Sequence, residues 1–362
     1  YWEFHIRRFI ITLLLVFSLP IYPAYGTELN PDELSTEYYL SYDIENEQIM
    51  FSSNIDEQIS PASITKVATA LVLLDFFDIA DSITISLPDN YQYIGKVAYL
   101  ESGKNITIED LLEFLLIYSA NDAAYVAAMA STGSIESFIV EMNNKADSLG
   151  MKNTTFLNPD GLDQPGHSTT LRDLLAMSLK FIENNRLMSI ASKKSFSSDI
   201  TGIEKIYYST NEIIDKGFIG IKTGWTSGAG LTFIGLNLDN GRQILTLVNK
   251  SIVDNKKITH FEDTQLLYQN SFKYFGNYES FQIDTEIYKV NNPSRTYGVY
   301  ANETWKDFVD LRQFVNINFI DYVDGRLKFV NNISDREIKV SASDYKVLWE
   351  FNPLDIFSIF AN

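Results

Sequence analysis

Three short motifs occur in one order along the chain: Ser63-Ile64-Thr65-Lys66, then Ser119-Ala120-Asn121, then Lys222-Thr223-Gly224. Residues three apart on a helix share a face, so a Ser-x-x-Lys tetrad brings an amine within reach of a hydroxyl. The pair describes a serine nucleophile that uses lysine, not histidine, as its base. The other two motifs would bring further hydroxyls, an amide and a second amine, so the fold must gather three distant segments at one cleft. The surroundings of Ser63 suit this. Ser60-Pro61-Ala62 reads as a turn, and the apolar run Val67-Ala68-Thr69-Ala70-Leu71-Val72-Leu73-Leu74 follows. This is the pattern of a buried helix with Ser63 in its first turn, where backbone N–H groups and the helix dipole favour developing negative charge.

Each motif alone is unspecific. Ser343-Asp344-Tyr345-Lys346 is a second Ser-x-x-Lys, and Ser52-Ser53-Asn54 and Ser209-Thr210-Asn211 are further Ser-x-Asn matches. These lack the order and context of the first set and read as turns or caps.

A formal charge of −18 over 362 residues argues against nucleic acid as a partner. With 45% hydrophobic residues the chain can bury a large core, and its length allows about two domains. Cysteine is absent and only three histidines are present, so disulfides and cysteine-ligated metals are excluded and a histidine-based centre is disfavoured. No cofactor is implied.

Near the start, Arg7 and Arg8 precede the apolar stretch Phe9–Phe17, and Ala24-Tyr25-Gly26 follows. This reads as a secretory signal peptide, residues 1–26, cleaved after Gly26. Export to the periplasm or cell-wall space is expected. With Tyr1 in first place, a few residues are expected to precede it. At the other end, Asn352-Pro353 caps a short apolar helix, Leu354–Phe360, too short to span a bilayer but able to lie on a membrane surface as a peripheral contact.

Between the ends, residues 37–52 alternate aromatic and polar positions around Glu45-Asn46-Glu47, a hairpin pattern. Thr107 with Asp110 opens a helix through Leu116 that stops at Tyr118, leaving Ser119-Ala120-Asn121 in a loop before a helix from Asp122 to Ala130. Further helices are expected from Ser134 to Leu149, ending at Gly150, and from Thr170 to about Glu183. Leu231–Leu238 and Arg242–Val248 read as strands joined at Asp239-Asn240-Gly241. Lys222-Thr223-Gly224 falls on a strand edge, where an extended peptide can add by main-chain hydrogen bonds. Strands at both ends of a helical middle imply one α/β unit, residues 27–277. From residue 278 to 362 the texture is β-rich, clearest in the hairpin Val315–Val323 with Arg326–Val330, and reads as a small separate domain.

The chain resembles the D-alanyl-D-alanine carboxypeptidases, low-molecular-mass penicillin-binding proteins, from about Glu37 to Phe275. The likeness is carried by Pro61-Ala62-Ser63-Ile64-Thr65-Lys66, Tyr118-Ser119-Ala120-Asn121-Asp122-Ala123-Ala124, Leu149-Gly150-Met151-Lys152-Asn153-Thr154-Thr155-Phe156-Leu157-Asn158-Pro159-Asp160-Gly161-Leu162, Gly166-His167-Ser168-Thr169-Thr170 and Gly220-Ile221-Lys222-Thr223-Gly224-Trp225-Thr226. It implies a β-lactamase/transpeptidase-like domain, an antiparallel sheet with helices, followed by a small β-rich domain. It also implies removal of the terminal D-alanine from the peptidoglycan pentapeptide, with β-lactam antibiotics as inhibitors.

By the same resemblance Ser63 attacks the penultimate D-alanine carbonyl and Lys66 takes its proton. Burial, with cationic character such as that of Lys222, would lower the lysine pKa. Ser119 relays a proton to the leaving amine, and Asn121 holds Lys66 and the substrate amide. Lys222, Thr223, Gly224 and Trp225 bind substrate, and the N–H groups of Ser63 and Trp225 hold the oxyanion. His167 belongs to a structural motif.

One departure concerns the substrate carboxylate. Many relatives place an arginine after the Lys-Thr-Gly hairpin, where this chain reads Asp254-Asn255-Lys256-Lys257-Ile258-Thr259-His260. Lys257 or His260 would have to serve as a point charge. A D,D-endopeptidase cutting cross-links is therefore the alternative, and an inactive peptidoglycan-binding relative a further one. A class A β-lactamase would need a Glu-x-x-Leu-Asn pattern between Asn121 and Lys222, which is missing.

Overall fold

The aromatic–polar alternation after Glu37 forms a hairpin, β1 (Tyr38–Asp43) and β2 (Gln48–Ser53). Its turn is closed by Asp43, fully buried, which accepts the Asn46 N–H at 2.9 Å and pairs with Arg242 at 2.9 Å. The computed structural model describes residues 33–239, 241–254, 257–281, 286–292, 295–301, 305–310, 317–323, 326–331 and 335–344. The expected signal segment, the helix expected over 354–360 and Lys346 of the second Ser-x-x-Lys lie outside them.

After a 3-10 turn over Ala62–Ile64 comes α1 (Thr65–Phe76), buried on every side from Thr65 to Leu73, as its unbroken apolar run requires. The short strands β3 (Ser82–Thr84) and β4 (Asn105–Thr107) pair and bracket a long loop. Thr107 accepts the Asp110 N–H at 3.0 Å and starts α2 (Ile108–Glu113). A π turn, Phe114–Tyr118, ends α2 at Ser119, and α3 (Asn121–Thr132) follows. Ser134 caps α4 (Ile135–Ser148), Thr170 caps α5 (Leu171–Ile182) and Asn184 caps α6 (Asn185–Ala191). A hairpin of β5 (Ser195–Ser198) and β6 (Lys205–Tyr208) then leads to three long strands, β7 (Phe218–Thr226), β8 (Gly230–Asp239) and β9 (Arg242–Ser251). The minor pair β10 (Val253–Asp254) and β11 (Lys257–Ile258) precedes α7 (Thr259–Tyr274).

The long strands join the first hairpin in a five-stranded antiparallel sheet ordered β2-β1-β9-β8-β7. Strand period decides which side chain meets which layer. Ile234, Leu236, Leu245 and Leu247 enter the core that α1 to α5 build around Phe114, Phe138, Phe156 and Phe181. Phe233 points the other way, 5.2 Å from the Phe261 ring of α7, and Phe218 lies 5.3 Å from Tyr268. The strand carrying Lys222-Thr223-Gly224 is thus an edge, as its motif predicts. The helix α7 was not legible in the sequence, being rich in polar residues on its outer face.

Thr27–Phe272 forms one compact unit, and the strands after Lys273 belong to another. In the latter, β12 (Phe275–Phe281) pairs with β15 (Trp305–Asp310). The strands β13 (Glu286–Asn292), β14 (Arg295–Ala301), β16 (Ile317–Val323), β17 (Arg326–Asn331) and β18 (Asp335–Asp344) form an antiparallel sheet ordered β13-β14-β18-β17-β16. The hairpin expected near 315–330 is β16 with β17.

Candidate active site

The three motifs meet at one place. Ser63 lies in the 3-10 turn and Lys66 one turn on, in α1, with its Nζ 2.9 Å from Ser63 Oγ. The same amine lies 2.7 Å from Asn121 Oδ1 and 2.7 Å from the carbonyl oxygen of Asp160. The two latter atoms only accept, whereas a serine hydroxyl can also donate. A neutral Lys66 therefore gives its two N–H bonds to Asn121 and Asp160 and turns its lone pair to Ser63. The Asn121 amide is oriented by its own network, since Nδ2 donates to the Ile94 carbonyl at 2.8 Å. Lys66 is fully buried, and burial lowers its pKa to about 8. Lys96 adds to this, and Asp160 and Asp122 oppose it. Lys222, expected as the cationic neighbour, is itself held well below the usual lysine range by burial and by Lys66 and Lys96.

The loop Asn158–Leu162 is the platform beneath Lys66. Asn158 Oδ1 accepts the Gly161 N–H at 2.7 Å, and Thr69 Oγ1 donates to the Pro159 carbonyl at 2.6 Å. Gly161 has φ +87°, and a Cβ there would stand 1.8 Å from the Ala62 carbonyl oxygen. Ala62 (φ +48°) and Ser119 (φ +68°) hold left-handed conformations unusual for residues with a side chain.

The strand β7 passes over the nucleophile turn. A Cβ on Gly224 would lie 3.0 Å from the Ser63 nitrogen and 3.0 Å from Ala62 Cβ. Asp163 joins the two sides, accepting from Ser60 Oγ at 3.0 Å, Thr226 Oγ1 at 2.7 Å and the Gly228 N–H at 2.8 Å. Partial burial would raise its pKa, but these hydrogen bonds outweigh it and the net shift is downward. Lys222 Nζ donates to the Thr223 carbonyl at 3.0 Å, and Thr223 Oγ1 donates to Thr210 Oγ1 at 2.6 Å. Thr210 belongs to the Ser209-Thr210-Asn211 match that reads as a bland turn in sequence; it supports the strand motif without supplying a catalytic asparagine.

With this geometry in view, comparison with known proteins is decisive. The family described as D-alanyl-D-alanine carboxypeptidase, peptidase family S11, matches residues 26–251. The chain belongs to this family. It has the penicillin-binding protein fold, and it spans about half the length of the first of the curated relatives below. It is 30% identical over 190 residues to D-alanyl-D-alanine carboxypeptidase DacF of Bacillus subtilis, spanning 50% of this chain and 49% of that protein. A D-alanyl-D-alanine endopeptidase of Escherichia coli is 26% identical over 276 residues, 72% of this chain and 87% of its own. Penicillin-binding protein D2 of Listeria monocytogenes, solved with cefotaxime bound, superposes with a TM-score of 0.58 at 28% identity, covering 66% of this chain and 98% of its own.

In this family member Ser119 is buried but is not a hydrogen-bond partner of Lys66. Trp225 is 61% exposed on the rim. His167 Nδ1 accepts the Leu157 N–H at 2.9 Å, so its Nε2 carries the proton and donates to Thr65 Oγ1 at 2.9 Å. Burial holds its pKa near 4, and a neutral, doubly used imidazole is a structural brace. His260 does not offer a surface charge for a substrate carboxylate: it is 4% exposed, stacks 4.0 Å from Phe261 and is held neutral by burial, with a pKa of about 4. Sequence reasoning also passed over Asp122, whose carboxylate accepts the N–H groups of Ala98 and Leu100 at 2.9 Å each. That anchor fixes the loop whose Ile94 and Lys96 carbonyls hold Asn121; its position after Asn121 was the one available signal.

Proposed function

We propose that Ser63 and Lys66 carry out acyl transfer on peptides ending in D-Ala-D-Ala. Neutral Lys66 takes the Ser63 hydroxyl proton while Oγ attacks the carbonyl carbon of the penultimate D-alanine. The tetrahedral oxyanion rests on the N–H groups of Ser63 and Trp225, and one such donor is typically worth about 10²–10³ in rate. The C–N bond then breaks, the leaving amine takes the proton from Lys66 by way of Ser119, and an acyl-enzyme remains for water to hydrolyse. Asn121 aligns Lys66 and the substrate amide. Lys222, Thr223, Gly224 and Trp225 bind the extended peptide and its carboxylate along the β7 edge. The observation that carries this reading is one buried amine in contact with both Ser63 Oγ and Asn121 Oδ1.

The substrate is the peptidoglycan pentapeptide, and β-lactams acylate Ser63 in its place. Residues 1–26 direct export to the periplasm or cell-wall space, residues 27–277 are the catalytic domain, and residues 278–362 are a small β-rich domain. The C-terminal segment contacts the membrane surface peripherally. D-alanine release from diacetyl-Lys-D-Ala-D-Ala, blocked by penicillin, is the expected result. No release, with penicillin still captured on Ser63, would reject the carboxypeptidase and favour the D,D-endopeptidase. The buried, neutral His260 is the observation on that side, and hydrolysis of a cross-linked peptide dimer is its test.

A further inference from the structure

The loop between β3 and β4 closes on Asn121 with three consecutive residues. The Ile94 carbonyl accepts Asn121 Nδ2 at 2.8 Å, and the Lys96 carbonyl accepts the Asn121 N–H at 2.8 Å. Between them Gly95, with φ +75°, lies so near that a Cβ would stand 2.8 Å from Asn121 Nδ2. The backbone of Lys96 is thus fixed at the catalytic centre. Its side chain reaches Tyr118, the residue before Ser119, and holds its ammonium 4.3 Å from the ring centroid. Tyr118 meets Tyr207 edge-on at 5.0 Å, and the Thr210 N–H donates to the neighbouring Ile117 carbonyl at 3.2 Å. Through Thr210 the segment that carries Tyr118 is joined to the Thr223 hydroxyl, 2.6 Å away. Lys96 is exposed, and among the described residues its ammonium has neither an ion pair nor a hydrogen-bond acceptor.

We propose that Lys96 is a substrate-binding residue, the point charge for the free carboxylate of the terminal D-alanine, in place of the arginine that residues 254–260 lack. The proposal rests on the carboxypeptidase reading above and names the residue that selects this end of the substrate. The other two lysines of the cleft are committed. Lys66 is bonded to Ser63, Asn121 and Asp160, and Lys222 Nζ donates to the Thr223 carbonyl. Burial, then Lys66 and Lys96, hold Lys222 well below the usual lysine range, so it offers a hydrogen bond rather than a lasting charge. Lys96 acts on both of these amines, which places its own within electrostatic range of the same cleft. Its partial burial against Tyr118 lowers its pKa too, but its exposed head remains solvated and cationic at neutral pH. An ammonium on a flexible stem makes one charge-assisted bond, not a fork, and the Tyr118 ring sets its direction beforehand. The Thr223 hydroxyl supplies the second contact, from the strand.

The test measures kcat/KM of the purified protein at pH 7 for diacetyl-Lys-D-Ala-D-Ala and for its C-terminal carboxamide, which keeps the scissile bond and lacks the charge. The acid should be the better substrate by about tenfold or more, the scale of one charge-assisted hydrogen bond. Lys96→Met should bring that ratio towards unity by slowing the acid alone, and Lys96→Arg should preserve it. Penicillin against its methyl ester gives the corresponding ratio for acylation of Ser63, with the same expected response. A ratio unchanged in Lys96→Met overturns the assignment. So does a ratio lost in Lys257→Met instead, which would give the carboxylate to that lysine. Equal losses for acid and amide in Lys96→Met overturn it as well, because Lys96 would then act only through Lys66 or Tyr118. If neither peptide is cleaved while penicillin is captured, the carboxypeptidase reading fails and the acid-to-ester ratio alone decides the role of Lys96. No cleavage and no capture overturn both.

Discussion

The Cα–H of Gly161 faces the carbonyl oxygen of Ala62 so closely that a Cβ would stand 1.8 Å from it. One glycine thus decides whether the nucleophile turn can sit on the loop that carries Asp160. Gly161→Ala must displace backbone, and its φ of +87° adds strain of its own. The expected result is a stability loss of about 2–4 kcal/mol in urea denaturation and penicillin acylation slowed at least ~100-fold. Unchanged acylation would show that the turn and the loop are not coupled.

Lys66 should set the pH dependence of acylation. Its pKa of about 8 in the folded protein lies below the ordinary 10.5, so the free amine accumulates as pH passes 8. The second-order rate of penicillin acylation should rise with pH and level off above that midpoint. Lys66→Ala should lower the rate by about 10²–10⁴, the range for removing a general base, while the protein stays folded. The same shift acts on stability. Between pH 8 and 10.5 the unfolded chain holds more protons at this position than the folded one, so stability rises with pH across that window. The rise should be smaller in Lys66→Met, the remainder coming from Lys222, whose pKa burial also lowers.

Asp163 ties Ser60, on the approach to the nucleophile, to Thr226 and Gly228 at the end of β7. Asp163→Ala should let the Ser63 and Trp225 N–H groups drift apart. Acylation is expected to fall about 10–100-fold with little loss of Tm, because the group is on the surface. Its folded pKa is depressed, so this support is present above the ordinary carboxylate pKa and is lost as pH drops through the folded value. An Asp163→Ala rate equal to that of the unaltered enzyme would remove the link.

His167 and His260 should make the fold acid-sensitive. Burial holds both near pKa 4, against 6.5 when exposed. As pH falls from 6.5 to 4 the unfolded chain takes up protons that the folded chain refuses, so stability declines across that range. Each histidine contributes on the order of 2–3 kcal/mol. Tm should therefore drop steeply between pH 6.5 and 4, and His167→Asn, which keeps an acceptor for the Leu157 N–H, should flatten that slope. A slope unaltered by this substitution would mean that His167 is protonated in the folded state.

The contact between Ser63 and Lys66 was legible because the helix dictates their spacing. Ser63 and Lys66 share a face whatever the rest of the chain does. Ser134, Thr170 and Thr107 announced their helices through side-chain capping, a local interaction that sequence displays. Thr210 and Asp160 were different. The first looked like any turn residue until β7 brought Thr223 to it, and the second works at Lys66 through a carbonyl that every residue possesses. His260 looked like a surface cation in a polar stretch, and only the packing of α7 on Phe233 and Phe261 hid it.

The sequence by itself determined the pairing of Ser63 with Lys66 and the strand edge of Lys222-Thr223-Gly224, since these follow from side-chain type and short-range period. Tertiary structure alone decided that Lys66 is buried beside an accepting carbonyl, that Gly161 rests against Ala62, and that the buried Asp160 stands close enough to Lys66 for each to shift the other. Those depend on which backbone atoms approach across some hundred residues of intervening chain, where every residue offers the same N–H and C=O and only packing selects among them.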